Sequence, residues 1–451
     1  MSKKTGLIFF PAFDWAISPT HPEREERLLY TRDQIFEEGV MDLPQIREYT
    51  PRLATLHDIA RVHFCVPRVQ SQVKEAHLIA AGSALHLGDC IIGGEIRNGF
   101  ALVRPPGHHA MRVVHGNRGF CNINNEAVLV EYLRRKHGVK RVAIVDSDVH
   151  HGDGTQDIFY HDPDVLFISF HQDGRTIFPG TGFSHELGGP KAYARTLNIP
   201  LAPGCTDDVF MYLAENLILP VIRDFKPDFI INSAGQDNHY TDPLGSMRFT
   251  ANGYARFTEL LKPDLAVLEG GYALETALPY VNLAIIMALA GVDYSNIREH
   301  QFLPGQLSES NERLDQVKKM IEQVLEAWDQ RDRVDMEEAF GTKDFYQRRK
   351  SIYYDTDYIE EEQYERLHIC PNCPGFLSFD SRANYGFGKP IRIYAVSIPF
   401  TACNGCQVQA YNRYEEGKSD KKFQYVYMQD KSTDTCLTFD RPAKQEWKSE
   451  G

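Results

Sequence analysis

Short, nearly continuous apolar runs recur through the first 300 or so residues, separated by helix-like segments and glycine-rich turns. The clearest are Arg141–Val145, Val165–Ser169, Phe229–Asn232 and Leu265–Leu268. Runs this short, with little polar alternation, predict strands buried on both faces of a parallel sheet. Each ends in polar or glycine residues: Asp146-Ser-Asp148, Phe170-His171, Gly235-Gln-Asp237 and Glu269-Gly-Gly-Tyr272. In open α/β sheets, ligands and reacting groups gather at the carboxyl ends of strands. Those four ends are therefore where chemistry is expected. Gly6–Phe10, after Lys3 and Lys4, has the outline of a signal peptide, but the run stops at Pro11 and Asp14 follows. It predicts a buried first strand instead.

The pattern then changes twice. Over 312–330, Leu314, Val317, Met320, Ile321, Val324, Leu325 and Trp328 make one apolar stripe, a core-packing helix with Ser308, Ser310 and Asn311 available as caps. From 331 to about 368, charges and tyrosines interleave, which predicts a solvated, partly helical connector. From Cys370 onward, alternating runs such as Ile391–Ala395 and Phe423–Tyr427 with glycine turns predict short strands. The expected organisation is an α/β unit over 1–330, a charged connector over 331–368 and a small β-rich unit over 369–451.

Composition narrows the reading. With 42% hydrophobic and 25% charged residues in 451, the chain has globular proportions, which exclude a disordered or fibrous protein. A net charge of −13 argues against a general nucleic-acid binder, whose phosphate contacts need a cationic face. No run of about 18 uncharged apolar residues occurs, so no membrane span is expected and the chain is read as cytoplasmic. A homo-oligomer is compatible with all of this. The nine cysteines do not suggest a disulfide framework. Cys65, Cys90, Cys121, Cys205 and Cys436 are scattered, as buried thiols are. Cys370 with Cys373 and Cys403 with Cys406 form two CxxC pairs, each with turn residues between. Four thiolates on two such knuckles suit a tetrahedral structural zinc, and the pattern is similar to zinc ribbons in general.

The densest chemistry lies in Asp146-Ser-Asp148-Val-His150-His151-Gly152-Asp153-Gly154. Asp148 and His150 stand two apart at a strand end, on one side, where a carboxylate and an imidazole suit a divalent metal such as zinc. A catalytic zinc needs a third ligand and an open position, and Asp237 ends another strand. Adjacent His108 and His109 follow a Pro-Pro-Gly turn, and Asp146 and Asp153 are available to orient their rings. Tyr272 follows two glycines, and its hydroxyl can stabilise an oxyanion.

In order, the motifs RPPGHH, GFC, DxDVHHGDGTQ, FPGTG, GxDxxxxDPLG and EGGY resemble the histone deacetylase superfamily, closest to class II deacetylases and bacterial deacetylase-like amidohydrolases. His21-Pro-Glu-Arg24 matches its opening motif, and the likeness runs over roughly residues 5–330. The resemblance implies an arginase/deacetylase-like α/β fold with Asp148, His150 and Asp237 on the catalytic zinc. It implies His108 and His109 as the tandem histidines with Asp146 and Asp153 as partners, Tyr272 as the catalytic tyrosine, and Arg24 near the acetate exit. Phe120 and Phe178 match the aromatic walls around acetyl-lysine, and Leu244 stands where some polyamine-selective members carry a glutamate. It also implies potassium sites, one at Asp146, Asp148, His150, Ser169 and Phe170, a second at Phe159, Asp162 and Val165. The activity so implied is hydrolysis of an N-acetyl amide, acetyl-lysine first, to acetate and free amine, with a metal-activated water and His109 as general base. An acetylpolyamine or small-amide hydrolase of the same fold, and a binding protein working through the ribbon, are the other readings. The two-manganese arginase reading is disfavoured because Asp237-Asn238-His239 lacks the second bridging carboxylate.

Overall fold

Eight strands make one sheet: β1 Lys4–Phe10, β2 Ile46–Glu48, β3 Ile96–Val103, β4 Val142–Asp146, β5 Val165–Gln172, β6 Thr196–Leu201, β7 Phe229–Ala234 and β8 Leu265–Leu268. The computed structural model describes residues 4–299, 307–341, 344–386 and 388–450. The order across the sheet is β2-β1-β3-β8-β7-β4-β5-β6, and every pairing is parallel. The continuous apolar runs follow from helices covering both faces. In β4, Val142 and Ile144 enter one core while Ala143 and Val145 enter the other. The helix Asn311–Gln330 closes one side with Val317, Ile321, Val324 and Trp328 buried, and the Ser310 hydroxyl accepts from the Arg313 N–H at its start. Among the described residues no helix is long and apolar enough to cross a membrane.

The rest of the chain builds a second sheet of seven strands: β9 Phe345–Tyr354, β10 Ile359–His368, β11 Phe376–Asn384, β12 Ile391–Ile398, β13 Tyr425–Asp430, β14 Thr435–Asp440 and β15 Gln445–Glu450. These pair in chain order, antiparallel except β12 with β13. That parallel pair needs a crossover, which the helix Asn404–Ser419 supplies. The β-rich C-terminal unit is as expected, but the stretch read as a connector is not one. Residues 345–368 are two full strands of this sheet. Only the short helix Met336–Phe340 lies in the joining segment.

One face of the second sheet packs on its own helix, through Val396, Ile398, Ala410, Tyr414 and Val426. The other face docks on the first unit, where Phe379, Ile393, Ala395 and Tyr427 meet Phe64, Val66 and Val113. Buried polar pairs cross the same boundary: Lys431 with Glu131 at 2.8 Å, His161 with Glu365 at 2.6 Å, Arg61 with Asp434 at 2.7 Å. The Tyr427 hydroxyl donates to the Pro67 carbonyl at 2.9 Å. Tyr427→Phe is expected to cost about 1 kcal/mol, the usual worth of one such bond, read as a lower urea midpoint at unchanged slope.

Candidate active site

The strand order brings β3, β8, β7, β4 and β5 side by side, so the loops at their carboxyl ends converge. From β4, Asp146 closes the strand and Asp148 and His150 follow. From β7 comes Asp237, from β8 Tyr272, from β3 the two histidines, and from β5 Phe178.

One donor atom from each of Asp148, His150 and Asp237 lies within 4.8 Å of the others. The Nδ1 atom of His150 sits 3.1 Å from Asp148 Oδ1 and 3.2 Å from Asp237 Oδ2. The other carboxylate oxygens are anchored: Asp148 Oδ2 accepts from the Gly270 N–H at 2.7 Å, and Asp237 Oδ1 from the Val149 N–H at 2.8 Å. The approach of that backbone requires glycine, since a Cβ on Gly270 would stand 2.2 Å from Asp237 Oδ2. Both carboxylates are fully buried, and burial together with Asp148 raises the pKa of Asp237. Two buried carboxylates and an imidazole aimed at one point form a cradle whose charge a dication would balance. The donor set fits zinc.

Beside this cradle the rings of His108 and His109 are 4.1 Å apart. His108 Nδ1 pairs with Asp146 at 3.0 Å, and His109 Nδ1 with Asp153 at 2.7 Å. Both rings are buried, which disfavours their charged forms. At His108 the carboxylates of Asp148 and Asp146 outweigh burial and hold the pKa well above the ordinary value. At His109 burial and the neighbouring His108 push it down to about 3. The surroundings thus push the two imidazoles in opposite directions, favouring the charged form at His108 and the neutral form at His109.

Tyr272 faces them from the β8 loop, its ring edge-on to Phe120 at 5.6 Å. Phe178 stands edge-on to His109 at 5.0 Å, so the two phenylalanines flank the histidines and the tyrosine. Phe120 also meets His21 at 4.3 Å. Leu244 lies in the loop from Asp242 and donates its N–H to Asp242 at 2.9 Å. Gln236 turns away from the site, to Asn282 at 3.0 Å.

Of the residues assigned to monovalent cations, Ser169 pairs with Asp146 across β4 and β5, and Phe170 is buried in the core beside it. In the second group the Phe159 carbonyl already accepts from the Asp162 N–H at 2.9 Å, and the Asp162 carboxylate is taken by Arg134. Arg24 sits half-exposed against Glu26 at 3.4 Å. The guanidinium that reaches the site is instead Arg27, fully buried, bonded to the Gly271 carbonyl at 2.8 Å and 4.9 Å from the Tyr272 ring centre.

Three further residues escaped sequence reasoning. Asp242 accepts from the N–H groups of Tyr272 and Ala273 at 2.6 and 3.0 Å and so fixes the tyrosine loop. Glu269 accepts from Gly107 and His108 at 2.7 and 3.0 Å. Arg118 pairs with Asp153 behind His109. The first two stand inside DPLG and EGGY, where a carboxylate buried next to glycines is the usable signal.

Far along the second sheet, the sulfurs of Cys370, Cys373, Cys403 and Cys406 also lie within 4.8 Å of one another. Cys403 caps the start of the crossover helix, and the Asn372 N–H holds the Cys370 thiol down to about 7. Burial pushes the Cys406 thiol the other way, so it is the convergence of the four sulfurs that suits a metal.

Comparison with known proteins finds relatives of this chain. A family described as "Histone deacetylase domain" matches residues 67–289. A "Probable deacetylase" of Archaeoglobus fulgidus is 44% identical over 329 residues, 66% of this chain and 90% of that protein. "Histone deacetylase 14, chloroplastic" of Arabidopsis thaliana is 43% identical over 213 residues, 44% of this chain and 49% of its own length. The solved HDA15 HD domain superposes with a TM-score of 0.63 at 30% identity, covering 72% of this chain and 96% of that one.

Proposed function

The chain belongs to the histone deacetylase family of hydrolases, and on that footing we propose that it cleaves the N-acetyl amide of acetyl-lysine to acetate and a free amine. The observation that carries this is the convergence of Asp148, His150 and Asp237 beside a cationic His108, a neutral His109 and Tyr272. A zinc held by those three ligands would supply Lewis-acid polarisation of the amide carbonyl and a more acidic water.

The side chains do the rest. His109, oriented by Asp153, accepts the proton of the attacking water and later hands it to the leaving nitrogen. His108, cationic between Asp146 and Asp148, supplies positive charge beside the acetyl group. The Tyr272 hydroxyl, which burial keeps protonated, donates to the oxyanion that forms. Phe120 and Phe178 clasp the aliphatic stem of the substrate lysine and exclude water.

In the same reading the catalytic unit is the segment to about residue 330. The four cysteines would hold a second, structural zinc. Carbonyls and side chains of Asp146, Asp148, His150, Ser169 and Phe170 would hold a potassium ion.

Turnover of an acetyl-lysine peptide tests the proposal against acetylated polyamines. Preferential hydrolysis of the peptide is expected, because the apolar Leu244 offers a cationic polyamine no partner. Hydrolysis confined to polyamines would replace the substrate and keep the chemistry. No hydrolysis of any acyl amide by the zinc-loaded chain would overturn the reading.

A further inference from the structure

We propose that the β9–β10 turn of the C-terminal sheet is a built part of the active site, with Asp355 and Asp357 positioning Phe120 and, through Arg118, the Asp153–His109 pair. This rests on the deacetylase reading above. The Asp355 carboxylate accepts from the Gly119 N–H at 2.7 Å, and the Asp357 carboxylate from the Asn117 N–H at 2.6 Å. Between them, Arg118 donates one guanidinium nitrogen to the Tyr353 carbonyl and another to Asp153 Oδ2. The other oxygen of Asp153 holds His109. Three consecutive residues of the first unit are thus gripped by one hairpin of the second, immediately before the wall residue Phe120.

That loop needs the grip. Arg118 and Cys121 exchange backbone hydrogen bonds at 3.0 and 2.8 Å, which closes a two-residue turn with φ of +52° at Gly119 and +70° at Phe120. Turns with positive φ at both central residues favour Asn-Gly and strain a bulky side chain at the second place. Such strain persists only where the surroundings over-determine it. Here the His21 and Tyr272 rings meet Phe120, and the backbone before it is held by residues 353–357, outside the 67–289 that match the family domain. Close contact with the pocket also depends on this turn: a Cβ on Gly119 would stand 2.4 Å from the His109 ring and 2.9 Å from Phe178. A small shift here would reach the general base and both walls together.

The two units are held together elsewhere, by the Phe64–Phe379–Tyr427 cluster and the Lys431–Glu131 pair, so losing one turn carboxylate leaves the sheet docked. Asp355→Leu in the zinc-loaded full chain is expected to lower kcat on an acetyl-lysine peptide by about 10- to 100-fold, the range for residues that orient catalytic groups, with a smaller change in KM. Asp355→Asn keeps an oxygen facing the Gly119 N–H and is expected to recover most of the rate. Asp380→Leu, which breaks the Arg392 pair elsewhere on the same sheet, should leave the rate alone.

Amide hydrogen exchange over 116–121 gives a readout independent of turnover: faster in the leucine variant, near wild type in the asparagine one. Unchanged exchange, equal losses in the leucine and asparagine variants, or wild-type kcat in Asp355→Leu would overturn the proposal. If exchange responds as stated while the wild type cleaves no acetyl amide, the grip stands and the deacetylase reading is what falls.

Discussion

His109→Ala is expected to keep its catalytic metal and lose roughly 10²- to 10⁴-fold in kcat, the usual contribution of a placed general base. Of the two adjacent rings, His109 is the one whose surroundings favour the neutral form. At His108 the carboxylates of Asp148 and Asp146 favour the charged form, and both are engaged in hydrogen bonds. His109 is held by Asp153 through Nδ1, which leaves Nε2 for the reaction. Steady-state kcat with zinc measured per chain makes the check. A variant that turns over near the wild-type rate with full metal would move the base elsewhere. A variant that loses metal as well would mean that the ring supports the cradle rather than the proton transfer.

Tyr272→Phe should lower kcat by roughly 10²- to 10³-fold, about 2.7–4 kcal/mol, with KM little changed, because the hydroxyl is needed only once the oxyanion develops. The ring itself will stay in place. Asp242 fixes the backbone N–H groups of Tyr272 and Ala273, Arg27 lies against the ring face, and Phe120 against its edge. An equal loss in KM and kcat, or none, would take the hydroxyl out of the transition state. Asp242→Asn is the informative companion, since it disturbs the loop without touching the hydroxyl.

Why was so much of this legible in the chain? Strands such as Val142–Asp146 are covered on both faces, so their buried residues spell an uninterrupted apolar run. Their chemistry then falls where such runs end. What escaped notice did so for one physical reason: burial of polar groups. In β10 the inward positions are Glu361, Gln363 and Glu365, all at most 1% exposed, so its alternation is hidden in a run of charges and reads as solvated. Glu365 pairs with Lys350 and Arg348 of the neighbouring strand β9 and with His161 across the boundary between the units, partners the local sequence cannot reveal. Arg27 was passed over for Arg24 on the same ground, because a motif gives spacing but not which of two arginines turns inward. Asp242 and Glu269 accept backbone N–H groups rather than act on substrate, and side-chain chemistry alone gives no hint of that.

The last three strands carry a consequence for biosynthesis. Tyr427, Lys431 and Asp434 cover Phe64, Glu131 and Arg61, groups that leave the ribosome some three hundred residues earlier. Until the second sheet is complete, the apolar patch of Phe64, Val66 and Val113 lacks part of its cover, and Glu131 has only its 3.6 Å contact with Arg134. A transcript cut short before residue 425 would therefore yield a product marked for chaperone capture or proteolysis, whatever the state of its metal ligands.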